Sequence, residues 1–135
     1  MKNIISSARL LEARRAREVD QAQDALRHQA QQIATLASRL DERFVEAVSL
    51  LEGVEGHVVV AGVGKSGQIG RKLASTLSST GTPSFFVNAA EAAHGDLGMI
   101  TSKDAVILIS YSGKTEEVLR MLPHITRVGA PSVAL

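Results

Sequence analysis

Residues 110–115, with the sequence SYSGKT, have side chains suited to binding phosphate. They join an apolar run typical of a buried strand, residues 104–110, to a helical pattern, residues 115–128. The hydroxyls of Ser110, Ser112 and Thr115 can donate hydrogen bonds to phosphate oxygens, and the positive end of a helix dipole favours an anion. An ordinary helix cap would explain Thr115 but not the paired serines, so the pattern favours a phosphate site.

A second candidate segment lies at residues 57–70, HVVVAGVGKSGQIG, where a β-branched run is followed by glycines and then by a helical pattern. Such a strand–turn–helix sequence begins a βαβ unit, and its turn can direct backbone N–H groups at an anion. The segment is not a nucleoside-triphosphate P-loop. That motif would place a glycine five residues before Gly64, inside the predicted strand.

Three of these glycines, Gly62, Gly64 and Gly67, match the dinucleotide fingerprint G-x-G-x-x-G. A dinucleotide site also requires an acidic residue at the end of the second strand, where this chain has Asn88. This substitution disfavours a nicotinamide-dependent enzyme. Close packing of the helix on the strand is the alternative role of these glycines.

Strand and helix patterns alternate along the part of the chain that contains both segments. The patterns predict strands at residues 57–62, 84–87, 104–110 and 131–135, and helices at 67–79 and 115–128. Residues 88–101 form a long connection between the second and third strands. Short crossovers between hydrophobic strands predict a doubly wound parallel α/β sheet, in which carboxyl ends of adjacent strands form the ligand site.

Residues 6–52 contain no glycine or proline and predict long N-terminal helices, with Asp41 capping a second helix at 42–52. We therefore divide the chain into a helical arm, residues 1–54, and an α/β part, residues 55–135. One apolar stripe follows the arm: Val19, Ala22, Leu26, Ala30, Ile33, Ala37 and Leu40. The stripe either covers the sheet of its own domain or packs on a second copy in a homo-oligomer, a dimer or tetramer.

Composition excludes several classes of protein. The 135 residues carry a formal net charge of +1, which disfavours nucleic acid or an anionic membrane as partners. Cysteine is absent, and no apolar run is long enough for a membrane helix or a signal peptide, so we expect a cytoplasmic protein. The four histidines lack zinc-type spacing, and the sequence predicts neither a metal site nor a cofactor.

The run GVGKSGQIGRKLASTLSSTGTPSFFVNAAEAAHGDLGM, together with SYSGKT, resembles the sugar isomerase (SIS) domain family. Within it, the chain is similar to the arabinose 5-phosphate isomerases. These enzymes interconvert D-ribulose 5-phosphate and D-arabinose 5-phosphate for the synthesis of Kdo, a lipopolysaccharide sugar. The resemblance implies a phosphosugar ligand, an SIS-type parallel sheet and no cofactor.

The resemblance also implies roles for individual residues. Ser110, Ser112, Gly113 and Thr115 would bind the phosphate, and Gly64, Ser66 and Glu91 would contact the substrate. Moving a proton between C1 and C2 of a sugar requires a base and a group that stabilises the enediolate oxygen. We assign the second role to Lys65, and proton transfer or ring opening to Glu117 and His94.

The chain departs from the family pattern in two ways. Tyr111 and Lys114 stand where the family more often has Asn and Glu. In addition, the family fold continues with a further strand and helices that carry another catalytic Glu and His, so we expect a fragment with C-terminal strands missing and no isomerase activity of its own. The alternative function is a non-catalytic phosphosugar-sensing module of a regulator, which would need only the serine segment.

Overall fold

A computed structural model of the protein describes the backbone of residues 2–135 and the side chains of residues 10–135. Two compact units are present, Met1–Glu42 and Arg43–Leu135. The boundary predicted at residue 54 between arm and α/β part stays a prediction. No helix in the described part of the chain is long and apolar enough to cross a membrane.

The first unit is a single long helix, α1 (Lys2–Ala37), followed by a turn. Its surface carries ion pairs one helical turn apart, for example between Arg14 and Glu18 at 2.9 Å. The apolar stripe is exposed: Val19, Leu26 and Ile33 retain 55%, 66% and 69% of their accessible surface. Leu40, the last residue of the predicted stripe, lies beyond the end of the helix.

Helices and strands alternate through the rest of the chain. The elements are α2 (Glu42–Glu52), β1 (Val58–Gly62), α3 (Gly64–Ser79), β2 (Ser84–Asn88), α4 (Ala89–Ala92), a 3₁₀ helix (Asp96–Met99), β3 (Ala105–Leu108), α5 (Glu116–Val128) and β4 (Ser132–Ala134). All strand pairs are parallel, and the strand order is β2-β1-β3-β4. The predicted parallel sheet is therefore confirmed.

The two faces of the sheet are covered by different helices, because successive strand residues point to opposite faces. One face packs against α5 through a set of buried side chains: Val59, Ala61, Val106, Leu108, Val118, Met121 and Ile125. The other face packs against α3, with a contribution from Leu51 of α2: Val58, Val60, Ile107, Leu73, Ala74 and Leu77. This arrangement is the doubly wound one, and β1 and β3 are its fully buried central strands.

Three glycines permit close packing of α3 on the sheet. A Cβ atom on Gly67 would lie 3.2 Å from the carbonyl oxygen of Gly62, and one on Gly70 would lie 3.0 Å from the ring of Phe86. The packing role proposed above as an alternative therefore applies to Gly62, Gly67 and Gly70. Gly64 differs, since its φ of 58° is in the left-handed region and nothing lies within 4 Å of its would-be Cβ.

In residues 55–135, two element boundaries differ from the prediction by two residues or more, and one connection contains helices that were not predicted. Helix α3 begins at Gly64 rather than at residue 67, since the N–H of Gly67 already donates to the carbonyl of Val63. Strand β3 ends at Leu108, two residues early. The connection after β2 contains α4 and the 3₁₀ helix, which are too short to show a periodic apolar pattern.

Candidate functional site

The two segments singled out in the sequence follow the carboxyl ends of neighbouring parallel strands. β1 leads into α3 on one face of the sheet, while β3 leads through residues 109–115 into α5 on the other face. The two connections leave in opposite directions, which makes the ends of β1 and β3 a topological switch point, and open α/β sheets bind ligands in the crevice outside the strand ends at such a point. The fold thus places both segments where a ligand site is expected.

Hydroxyl groups of the second segment are paired with each other. The oxygens of Ser110 and Thr115 are 2.8 Å apart and share one hydrogen bond. Thr115 is the N-cap residue of α5, but its side chain makes no capping hydrogen bond. Because the shared bond uses one hydroxyl hydrogen, the other remains available to an incoming acceptor. This arrangement suits an anion better than it suits a helix cap.

Between these two residues the chain makes a tight turn. The N–H of Gly113 donates to the carbonyl of Ser110 at 3.2 Å, and Gly113 has a φ of 64°, in the left-handed region. The hydroxyl oxygen of Ser112 accepts the N–H of Lys114 at 3.1 Å, which leaves the hydrogen of Ser112 free to donate. Tyr111 is fully exposed beside this turn.

The segment after β1 forms the first turn of α3. Val63 is the N-cap residue and supplies no side-chain hydrogen bond, so the first N–H groups of the helix have no side-chain cap. Lys65 is exposed on this turn, and Ser66 is half-buried. Gly64, Lys65 and Ser66 therefore lie at the carboxyl edge of β1, beside the crevice.

Glu117 and His94 line the same small cleft. Its volume is about 50 Å³, and its walls come from α4, the turn after it, the 3₁₀ helix and α5: Ala89, Ala90, Ala93, His94, Leu97, Glu117, Arg120 and Met121. Glu117 is half-buried at the first turn of α5, while His94 is exposed. The cleft therefore combines an acid, an imidazole and a guanidinium between apolar walls.

Glu91 does not share a helix face with His94, because α4 ends at Ala92. Its carboxylate instead accepts a hydrogen bond of 3.1 Å from the side-chain amide of Asn88. The Oδ1 atom of Asn88 accepts the N–H of Ala90 and caps α4. Asn88 thus has a structural role at the position where a dinucleotide site has its acid.

The structure brings the predicted site residues into two groups. The first is the hydroxyl segment, residues 110–115, before the N-terminus of α5; the second is Glu117 in the first turn of that helix with His94 from the turn after α4. Lys65 is not among the residues that line the cleft. Within the described residues no group of three His, Asp or Glu side chains is placed to hold a metal ion.

Arg120 is a residue of the cleft that the sequence interpretation missed. It lies three residues after Glu117 on α5, so both side chains share one helix face. An ion pair with Glu116 holds its guanidinium. The spacing of acid and arginine is visible in the sequence, but the partner His94 comes from a connection whose path the sequence does not reveal.

Comparison with known proteins agrees with this arrangement. Residues 53–135 match the SIS domain. The chain is 50% identical over 103 residues to arabinose 5-phosphate isomerase KdsD of Pseudomonas aeruginosa, covering 76% of this chain and 32% of that protein. It is 53% identical over 95 residues to arabinose 5-phosphate isomerase GutQ of Escherichia coli K12, covering 70% of this chain and 30% of that protein.

A solved structure, c3406 of E. coli CFT073 in complex with arabinose 5-phosphate, superposes with a TM-score of 0.67 at 52% identity and covers 69% of this chain and 50% of that one. The chain spans about a third of the length of the curated relatives it matches. The match nevertheless includes the whole sheet, both segments and the cleft, and by sequence and fold the chain belongs to the SIS domain family.

Proposed function

We propose that this chain forms the phosphosugar-binding part of an aldose–ketose isomerase that interconverts D-arabinose 5-phosphate and D-ribulose 5-phosphate. The observation that carries the proposal is the placement of an acid–imidazole cleft directly beside a hydroxyl-rich turn at one end of α5. Identity of 50% to a named arabinose 5-phosphate isomerase supports the choice of substrate. Synthesis of Kdo is the corresponding pathway.

The phosphate is anchored by residues 110–115 in this proposal. Ser112 and one of the paired hydroxyls of Ser110 and Thr115 donate hydrogen bonds, and Gly113 allows the backbone to approach the phosphate closely. The N-terminus of α5 adds its partial positive charge, which favours the dianion. Gly64 and Ser66, across the crevice, contact the sugar, and Glu91 supports that wall through Asn88.

Isomerisation requires a proton to leave C2 of the open-chain aldose while the C1 oxygen gains one, which gives an enediol. Return of a proton to C1 and loss of the proton on the C2 oxygen then gives the ketose. We assign these transfers, or the preceding ring opening, to Glu117 and His94, because both line one cleft. Lys65 stabilises the developing oxyanion by its charge.

The 135 residues by themselves bind the sugar phosphate without converting it. The cleft of about 50 Å³ holds a few water molecules, whereas ligand sites in proteins typically have roughly 300–1,000 Å³.

The exposed stripe of α1 is the surface through which copies of the chain associate. Absence of cysteine agrees with a reducing compartment, and we place the protein in the cytoplasm.

Calorimetric titration of the chain with arabinose 5-phosphate, arabinose and NAD tests the proposal. We expect heat from arabinose 5-phosphate alone, because the phosphate supplies the anchor. Tight binding of NAD without binding of the sugar phosphate would overturn it.

Replacing the matching part of the Pseudomonas relative by this chain gives a chimera in which turnover can be measured. Lys65→Ala should lower its turnover by about 10²–10³-fold, the typical effect of removing a group that stabilises an oxyanion. Binding with no turnover in a folded chimera would instead identify a phosphosugar sensor.

A further inference from the structure

Besides the cleft of His94 and Glu117, a groove lies at the carboxyl ends of β1 and β2, on the face of the sheet that α3 covers. Its volume is about 110 Å³, and we call it the Arg71 groove after its charged member. Its lining residues are Gly62, Gly64, Gly67, Gln68, Arg71, Phe86 and Asn88. The groove shares Gly64 with the wall proposed to contact the sugar, but the proposed phosphate anchor, residues 110–115, and the cleft of His94 and Glu117 contribute nothing to its walls.

Arg71 is fixed by an aromatic ring. The central carbon of its guanidinium lies 4.5 Å from the centroid of the Phe86 ring, a cation–π contact. Within residues 10–135, where side chains are described, no carboxylate forms an ion pair with Arg71. Stacking occupies a face of the planar guanidinium and leaves its N–H donors for another partner. The exposed side chain is therefore oriented by the ring, and its N–H donors face solvent, where a ligand can reach them.

The walls of the groove favour an anion as that partner. Among the described side chains no acidic one lines it; the Asn88 amide donates one hydrogen to Glu91, and its oxygen accepts the N–H of Ala90. Gln68, Arg71 and the second amide hydrogen of Asn88 can thus donate hydrogen bonds to a ligand. Gly62, Gly64 and Gly67 present backbone without side chains, which leaves room for a group to lie against the main chain.

We propose that the Arg71 groove is a second anion site, which binds the phosphate group of a small metabolite independently of the site at residues 110–115. A phosphate offers three acceptor oxygens, so it can accept the paired donors of Arg71 and the amide of Gln68 at once. A cavity of about 110 Å³ accommodates the phosphate group but not a whole phosphosugar. The remainder of the metabolite therefore extends from the groove into solvent.

Titration of the ¹⁵N-labelled chain with inorganic phosphate, followed by NMR, tests the proposal. The backbone amides of Gly67 and Gln68 and the side-chain Nε–H of Arg71 report on the groove. We expect these signals to move together with one dissociation constant. Arg71→Gln should weaken the response of Gly67 and Gln68 at least about tenfold, since charge-assisted bidentate hydrogen bonds are lost. Arg71→Lys, which keeps the charge but loses the planar fork, should give an intermediate loss.

Lys72→Gln is the matched control, because it removes a positive charge from the next residue of α3, which does not line the groove. We expect it to leave the response of Gly67 and Gln68 unchanged. A response that persists in Arg71→Gln, or equal weakening by both variants, would overturn the proposal, as would no response at tens of millimolar phosphate. The amides of residues 110–115 report on the other site in the same spectra, so failure of either site is seen separately.

Discussion

The buried carboxylate of Asp104 accepts a hydrogen bond of 2.7 Å from the backbone N–H of His57, 47 residues earlier in the chain. Its second oxygen accepts the N–H and the hydroxyl of Thr101 at 2.7 and 2.8 Å. Burial raises the pKa of Asp104, but the hydrogen bonds from His57 and Thr101 outweigh burial and hold it below its usual value. One side chain thus joins the residues that precede β1 and β3.

Asp104→Asn should reduce the free energy of unfolding by about 1.5–3 kcal/mol at neutral pH, because the amide has a single acceptor oxygen and cannot accept from both His57 and Thr101. The folded-state pKa is lowered, so the stabilisation is complete above the unfolded-state value of 3.8 and is lost as pH falls through the folded-state value. Urea unfolding of both proteins at neutral and acidic pH measures this.

The control for this change is Glu55→Gln, which removes an exposed ion pair with Lys103 and should change stability by less than about 1 kcal/mol. An Asp104→Asn protein whose stability differs from that of the wild type by the same amount at every pH would contradict the linkage argument.

Gly70→Ala should destabilise the fold by about 1–3 kcal/mol, because the new methyl group would lie 3.0 Å from the Phe86 ring and 3.3 Å from Val60. Gly98→Ala is the matched control, since nothing lies within 4 Å of a Cβ atom there. Thermal unfolding followed by circular dichroism compares the two. Equal melting temperatures would show that the contact between α3 and the sheet relaxes without cost.

Thr115→Val should weaken binding of arabinose 5-phosphate about tenfold while leaving stability nearly unchanged. The hydroxyl of Thr115 is paired with Ser110 and makes no capping bond to α5, so its loss affects the ligand and not the helix. Calorimetry gives the affinity, and Ser79→Ala, at an exposed serine far along α3, serves as control. Loss of stability with unchanged affinity would indicate a purely structural hydroxyl.

Glu117→Gln and His94→Asn should each lower the turnover of the chimera by about 10²–10⁴-fold, as expected for groups that transfer protons. Because both side chains line one cleft, the double variant should lose less than the product of the two single effects. Steady-state kinetics of all three variants measures this. Fully multiplicative losses would mean that the two residues act independently.

The sheet could be predicted from the sequence because its signals are local. The β-branched run at 58–60 and the apolar run at 105–108 indicate buried strands by composition alone, and both are central in the sheet. The predicted start of α3 is three residues late, since glycine and serine are poor helix formers and residues 64–66 therefore show no helical pattern.

Prediction of the site was limited by the connection after β2. The sequence Asn-Ala-Ala-Glu at residues 88–91 has the spacing of a capping box and could have indicated α4. The position of His94 against Glu117 could not be predicted, because it depends on how α4 packs on α5. Likewise, the pairing of Ser110 with Thr115 requires the turn at Gly113.

Leu26→Glu combined with Ile33→Glu should abolish self-association of the chain. Both side chains lie on the exposed stripe of α1, and burying two carboxylates in an apolar contact is strongly unfavourable. Light scattering before and after the change gives the mass. Gln31→Glu, which adds charge to the polar face of the same helix, should leave association intact, and a monomeric wild type would rule out the stripe as an interface.

The central position of β1 makes the order of synthesis important for folding. β1 pairs with β2, which begins at Ser84, and with β3, which begins at Ala105, so β1 leaves the ribosome before either neighbour does. Its valine and alanine side chains stay unburied until both strands pair with it. Pairing distant strands is slow because a long loop must close first. Until then, this short apolar segment is the part of the nascent chain most exposed to aggregation and to chaperones.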